Sequence, residues 1–123
     1  MKTASNEDVL RWLLSGVFVV NPDKGDVIKI ESKLGSNYKL KARINRRNRS
    51  DIGDPRVDLY YEGKRKSCHV SNLVWMSRTG SIVPEGFEIH HIDEDPTNNN
   101  WNNLICVHSM DHVKLHNEES VPF

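Results

Sequence analysis

The positions of the histidines constrain this chain more than any other feature of its sequence. Five of the six histidines fall within residues 86–116. His90 and His91 follow a short apolar-polar alternation that is typical of the end of a β-strand. His112 and His116 are four residues apart, which on a helix places both side chains on one face, one turn apart. The segment therefore predicts a strand, a loop and a helix that bring imidazoles together.

These four histidines predict a metal site. Adjacent side chains on a strand point to opposite faces, so either His90 or His91 can face a cation held by the helical pair while the other faces a substrate. A lone histidine is usually an ordinary surface or core residue. An adjacent pair followed by an i, i+4 pair is much harder to obtain by chance, and three imidazoles form a known ligand set for a divalent cation.

The string IHHIDEDPTNNNWNNL, followed by an apolar ICV and a polar helix start, resembles the motif of the HNH endonucleases, also called the ββα-metal fold. In that family a strand ends in the histidine pair, a loop carries an asparagine, and a helix carries the last ligand. The resemblance implies an α+β fold in which small antiparallel strands and a helix are followed by a ββα-metal (HNH) nuclease motif.

The resemblance also implies a role for each residue of the motif. His90 matches the first metal ligand of the family, and His91 matches its general base. Asn103 matches the asparagine that orients the base, and His112 matches the final metal ligand. His116 matches an additional helical histidine found in the colicin-type nucleases.

The implied activity is metal-dependent hydrolysis of phosphodiester bonds in DNA, by nicking or by double-strand cleavage. One divalent cation would stabilise the phosphate and the leaving oxygen, while His91 takes a proton from water. A carbonyl of Asn103, from the side chain or the backbone, is expected to fix the tautomer of His91. Mg²⁺ or Mn²⁺ is expected to support activity, and the nitrogen-rich ligand set also favours Zn²⁺ or Ni²⁺.

Charge is divided unevenly along the chain, although the formal net charge is zero. Residues 1–78 contain sixteen Lys and Arg against nine Asp and Glu, and residues 79–123 contain one against eight. A basic body favours phosphate and an acidic end favours a cation. We therefore interpret residues 1–80 as a basic α/β part that contacts DNA and residues 81–123 as the HNH catalytic motif, the two forming one compact unit.

Two clusters of cations lie in the basic part. The run from Lys39 to Arg49 contains six cations and no anion, and a second cluster lies at the tip of a hairpin. Such runs are usually solvated surface, but beside a nuclease motif contact with phosphate becomes the better interpretation. The predicted DNA-binding residues are Lys39, Lys41, Arg43, Arg46, Arg47, Arg49, Lys64, Arg65 and Lys66.

Cap and turn signals predict the elements of the first part. Ser5 and Asp8 are spaced as a capping box that begins a helix, and Gly16 ends it. The turn at residues 21–25 joins two strands, and Glu62-Gly63-Lys64-Arg65 predicts the turn of a β-hairpin. The opening of helix, strand, turn and strand is similar to the start of many phage-borne HNH proteins.

The second part is punctuated in the same way. A helix is predicted over residues 72–78, with Ser71 as its cap. Residues 96–102 contain a proline and three successive asparagines, which predict a loop. Residues 104–107 predict the strand that pairs with the histidine strand, and Ser109 is predicted to cap the last helix.

No apolar run approaches the length of a membrane span, and no signal-peptide pattern is present. We expect a cytoplasmic protein that does not bind membranes, located in the host cytoplasm if a phage encodes it, and a monomer is favoured. Cys68 and Cys106 have no Cys-x-x-Cys spacing and are interpreted as reduced thiols. A zinc site that combines them with His69 and His108 is an alternative.

Two other functions fit parts of the pattern. The first is a DNA-binding protein without catalysis that keeps the HNH fold and uses the metal to hold it together. The second is a small metallohydrolase that does not act on nucleic acid. The basic run of residues 39–49 and the lack of an apolar pocket signature disfavour the second function, and metal-dependent nicking of a plasmid separates the first from an endonuclease.

Overall fold

The computed structural model describes residues 2–31, 36–40, 43–44 and 55–110. Several of the predicted site residues lie outside this part of the chain, and they are Lys41, Arg46, Arg47, Arg49, His112 and His116. The strands of the described part are β1 (Lys2–Thr3), β2 (Phe18–Val20), β3 (Val27–Glu31), β4 (Ser36–Lys39), β5 (Arg43–Ile44), β6 (Pro55–Tyr61), β7 (Lys64–His69), β8 (Phe87–His91) and β9 (Leu104–His108). Its helices are α1 (Asn6–Ser15), α2 (Val70–Thr79) and a 3-10 turn at Trp101–Asn103.

These strands form three small sheets. One sheet has the order β1-β7-β6-β5, with β1 parallel to β7 and the other pairs antiparallel. The second is the antiparallel meander β2-β3-β4, and the third is the antiparallel hairpin of β8 and β9. Small antiparallel sheets combined with helices confirm the predicted α+β class.

Helix α1 begins and ends where the sequence predicts. The Ser5 hydroxyl accepts the backbone N–H of Asp8 at 3.1 Å, and the Asp8 carboxylate accepts the backbone N–H of Ser5 at 3.0 Å. Gly16 ends the helix in the left-handed conformation, with φ of 83°. The helix buries Trp12 against Phe18, with ring centroids 5.9 Å apart.

Helix α2 lies at the centre of the molecule, where it contacts α1, β2, β6, β7, β8 and β9. The predicted start at Asn72 with Ser71 as cap is wrong. The helix begins at Val70, directly after β7, and Ser71 is buried inside its first turn. His69 is the N-cap residue and its side chain makes no capping bond. Packing of the buried Val70 holds this end of the helix in place of a side-chain cap.

The helix that Ser109 is predicted to cap falls on residues beyond 110, which lie outside the described part of the chain. The Ser109 hydroxyl donates to the carbonyl oxygen of Gly86 at 3.0 Å, which ties the end of β9 to the start of β8. The N–H of Met110 is accepted by Nδ1 of His108 at 3.2 Å. Both bonds lie at or just after the end of β9, and they do not test the predicted cap of the last helix.

A single cluster of buried apolar residues connects the two ends of the chain. Val9 and Phe18 from the first elements belong to it together with Leu73 of α2, and so do Ile89 of β8 and Leu104 of β9. The segment before residue 80 and the segment after it therefore share one core. Neither helix in the described part is long and apolar enough to cross a bilayer.

Candidate functional site

The hairpin of β8 and β9 presents the histidine pair. His91 is opposite Leu104 and His90 is opposite Ile105. Because side chains alternate along a strand, His91 points to the face of Ile89 and Leu104, while His90 points to the other face. His90 is 5% exposed and His91 is 8% exposed. The two imidazoles are thus adjacent in sequence, separated by the sheet and largely withdrawn from bulk water.

The ring of His91 is held by a buried amide. Its Nε2 lies 2.8 Å from Oδ1 of Asn99, whose side chain is 3% exposed. An amide oxygen can only accept a hydrogen bond. The proton of the neutral ring is therefore on Nε2, which leaves Nδ1 with a lone pair that can accept a proton.

The sequence assigned this position to Asn103, but its side chain makes other contacts. Its oxygen accepts the backbone N–H of Asp93 at 3.0 Å, and its nitrogen donates to the Asp93 carboxylate at 2.8 Å and to the carbonyl of Asn98 at 2.9 Å. Its backbone carbonyl accepts the N–H of Ile92 at 2.8 Å. Because Asn103 pairs with residues just beyond the end of β8, it closes the loop and does not provide the side-chain oxygen beside His91.

Asp93 is the centre of that loop. Its carboxylate accepts hydrogen bonds from the side chain of Asn98 at 2.8 Å, from the backbone N–H of Asp95 at 2.9 Å and from the side chain of Asn103. These bonds, led by the one from Asn98, hold the pKa of Asp93 below its usual range. Asp93 is therefore a carboxylate at neutral pH, and its charge stabilises the amides that surround it.

Sequence reasoning missed Asp93 and Asn99. The available signal was the dense series of Asp and Asn from residue 93 to residue 103. Such side chains commonly accept a hydrogen bond from the backbone N–H two residues further on. Here the Asp95 carboxylate accepts the N–H of Thr97 at 2.9 Å. That pattern indicates a structured polar loop, but it does not say which amide faces the ring.

Comparison with known proteins finds two similarities. The family model for HNH endonucleases matches residues 68–114, which include β8, the polar loop and β9. The chain is also similar to a solved structure described as DNA binding and cleavage by the HNH homing endonuclease I-HmuI, with 28% identity, a TM-score of 0.66 and 88% of this chain covered.

Residues 68–114 therefore carry an HNH endonuclease motif, and the chain as a whole is similar in fold to an HNH homing endonuclease. This chain covers 56% of the I-HmuI chain, so it corresponds to a little over half of that protein. No curated protein matches the sequence.

The donor chemistry of this site suits a divalent cation. His90 provides a buried imidazole on the face that His91 does not use, and imidazole nitrogen binds Zn²⁺, Ni²⁺ and related ions. Within residues 55–110, and in the shorter stretches described before them, no three His, Cys, Asp or Glu side chains are grouped as a metal site. A three-imidazole site around His90 therefore needs donors from beyond residue 110, where His112 and His116 follow in the sequence.

The predicted DNA-binding cations occupy different environments. The ammonium of Lys64 lies 3.2 Å from the carboxylate of Asp8, so its charge is already paired within the protein. Arg65 is exposed and Lys66 is half-buried. Lys39 is on β4 and Arg43 is on β5.

A further cation lies beside the polar loop and was not singled out from the sequence. The guanidinium of Arg78, at the last turn of α2, is 5.9 Å from the centre of the Trp101 ring. Arg78 is exposed, and the contact adds a positive charge next to the loop that carries Asn99.

The alternative zinc site of Cys68, His69, Cys106 and His108 is wrong, because these four described side chains do not come together as a metal site. Burial raises the pKa of the Cys68 thiol to about 11, and burial also raises the pKa of Cys106. Both cysteines are free, and at neutral pH both are therefore protonated thiols of low reactivity.

Proposed function

We propose that this chain is a metal-dependent HNH endonuclease that hydrolyses phosphodiester bonds in DNA, with His91 as its general base. The observation that carries the proposal is the buried 2.8 Å contact between Nε2 of His91 and Oδ1 of Asn99. A histidine held by one nitrogen and proton-accepting at the other is equipped to activate water. The family match and the likeness to a DNA-cleaving homing endonuclease support DNA as the substrate.

Three side chains divide the work around the water. Nδ1 of His91 takes the proton of the attacking water, a contribution of about 10²–10⁴-fold in rate for a well-placed base. Asn99 keeps the ring proton on Nε2 and fixes the orientation of the ring. Asn103 acts one step further away, because it fixes the loop from which Asn99 projects. His91 is thus the catalytic residue, and the two asparagines are positioning residues.

The divalent cation would be held by His90 together with His112 and His116. When bound, it supplies stabilisation of charge on the scissile phosphate and on the leaving oxygen. Mg²⁺ or Mn²⁺ is the proposed ion for activity, while the imidazole ligands favour tighter binding of Zn²⁺ or Ni²⁺. Because His90 and His91 lie on opposite faces of β8, binding of the cation does not compete with the hydrogen bond to Asn99.

DNA is proposed to be held by the basic part of the chain, because the segment that carries the site is acidic. The run from Lys39 to Arg49, together with Arg65 and Lys66, is proposed to contact phosphates, which gives binding with modest sequence preference. Lys64 is expected to contribute less than its neighbours, since its charge is paired with Asp8. Arg78 beside Trp101 offers one more phosphate contact close to the polar loop.

Incubation with a supercoiled plasmid tests the proposal. The protein is treated with EDTA, freed of the chelator, and then supplied with Mg²⁺, Mn²⁺ or no metal. Conversion to open circular or linear DNA with metal, and none without it, is the expected result. A band shift without cleavage under every metal condition would instead favour a DNA-binding protein that keeps the HNH fold without its activity.

A further inference from the structure

The turn between β2 and β3 is fixed by its own hydrogen bonds. Oδ1 of Asn21 accepts the backbone N–H groups of Asp23 at 2.8 Å and Lys24 at 3.1 Å. The backbone carbonyl of Asn21 accepts the N–H of Gly25 at 2.8 Å, and the backbone N–H of Asn21 donates to the carbonyl of Asp26 at 2.8 Å. Four hydrogen bonds to Asn21 make this turn a rigid unit. The turn lies more than sixty positions before His91 in the sequence.

Gly25 brings this turn into direct contact with the polar loop. It is buried, its φ is +78°, and a Cβ added there would lie 3.0 Å from Cβ of Asn99 and 2.6 Å from Cγ1 of Val70. Real Cβ atoms almost never come as close as the 2.6 Å contact with Val70, and the 3.0 Å contact with Asn99 is tighter than nine in ten real Cβ contacts, so Asn99 would have to shift by a few tenths of an ångström. The backbone of the turn therefore packs against Asn99 on one side and against the first turn of α2 on the other, and only glycine permits this approach.

A second contact fixes the loop two residues later. The backbone N–H of Trp101 donates to the carbonyl oxygen of Pro22 at 2.8 Å. The loop is thus held by the same turn on either side of Asn100, by packing at Asn99 and by a hydrogen bond at Trp101.

We propose that Gly25 is a positioning residue for the candidate base, because it sets where Asn99 holds the ring of His91. The inference rests on the proposed function. A hydrogen bond weakens steeply as its distance and angle depart from the ideal, so displacement of the Asn99 backbone weakens the 2.8 Å contact with Nε2. A misplacement of about 1 Å at a catalytic group can reduce the rate by about 10²-fold.

The first test compares Gly25→Ala with Gly16→Ala. Gly16 has a similar φ of +83° and no atom within 4 Å of an added Cβ, so it controls for the backbone strain alone. Both variants are assayed at a temperature at which thermal melting shows them folded. Gly25→Ala is expected to reduce kcat for plasmid nicking by about 10–100-fold, the range typical of residues that support a catalytic ligand. Its affinity for DNA should stay that of the parent, and Gly16→Ala should keep the parental kcat.

A second readout does not depend on nuclease activity. The ¹⁵N chemical shifts of the His91 ring report which nitrogen carries the proton. The parent and Gly16→Ala should show the proton on Nε2, and Gly25→Ala should show a mixture of tautomers, as Asn99→Ala should. If the parent does not cleave DNA yet the ring changes in this way, the proposed function fails and the positioning role stands.

If Gly25→Ala does not fold, a second variant that removes the close contact with α2 still tests the proposal. The double variant Gly25→Ala/Val70→Ala removes the methyl group at 2.6 Å and retains the 3.0 Å contact with Asn99. With Val70→Ala as its control, the double variant should fold and still show the altered ring. A folded Gly25→Ala or double variant with the parental kcat and the ring proton on Nε2 would overturn the proposal.

Discussion

The orientation of the candidate base His91 depends on which asparagine lies beside its ring. The opposite directions of His90 and His91 could be predicted from the sequence, because alternation along a strand is a regular property of the backbone. The hydrogen-bond partner of His91 could not be predicted, because residues 92–103 follow an irregular path and several of their asparagine side chains are similarly close to His91 in sequence. Only the fold shows that Asn99 is buried against the ring while Asn103 binds Asp93.

Truncation of the two asparagines should have different consequences. Asn99→Ala removes the acceptor at Nε2 of His91 and is expected to lower kcat by about 10–100-fold. Asn103→Ala removes the acceptor of the Asp93 backbone N–H, the donor to the Asn98 carbonyl and one of three hydrogen bonds to the Asp93 carboxylate, which should lower the free energy of unfolding by about 1 kcal/mol. Single-turnover nicking and thermal melting of both variants measure the two effects. If both proteins are folded and Asn103→Ala loses more kcat than Asn99→Ala, this division of roles is contradicted.

The hairpin of β6 and β7 illustrates what local sequence can predict about an element. The turn was predicted over residues 62–65, and the structure confines it to Glu62 and Gly63, because β7 already begins at Lys64. Both turn residues have the positive φ that such a tight turn requires, at 53° and 72°. The environment of the cations that follow was not predictable, because it depends on α1. Asp8 caps that helix and at the same time pairs with Lys64.

Two substitutions at this hairpin test the distinction. Arg65→Ala should reduce the slope of log affinity for duplex DNA against log salt by about 0.9, the amount expected for one lost phosphate contact. Lys64→Ala should change the slope less, and should cost at most about 1 kcal/mol of stability because the Asp8 pair is partly exposed. A salt series by fluorescence anisotropy measures both slopes. A larger change in Lys64→Ala than in Arg65→Ala would show that the pair opens to bind DNA.

At the scale of the whole molecule, charge and packing divide the chain differently. The basic and acidic parts could be recognised from the sequence, because charge is a property of composition. The core that the two parts share could not be recognised from the sequence, because it depends on α2. This helix contacts both the early strands and the hairpin of β8 and β9. The positioning of Asn99 by a turn near the start of the chain has the same origin.

A shared core predicts one unfolding transition. The indole signals of Trp12, a buried residue of α1, and of Trp101, in the polar loop, should disappear from NMR spectra at the same urea concentration. Leu73→Ala, at a fully buried position of α2, should lower both midpoints together and cost about 2–5 kcal/mol. Loss of the Trp101 signal well before that of Trp12 would show that the two segments fold separately.

The central claim is that His91 activates water and does not bind the cation. The most direct measurement is made on His91→Ala, with His90→Ala as the matched variant on the opposite face of β8. Each preparation is divided between plasmid nicking with Mg²⁺ or Mn²⁺ and calorimetric titration with Zn²⁺. His91→Ala is expected to lose cleavage and retain metal affinity, whereas His90→Ala is expected to lose both. Cleavage by His91→Ala at the parental rate, or loss of its metal affinity, would contradict this assignment.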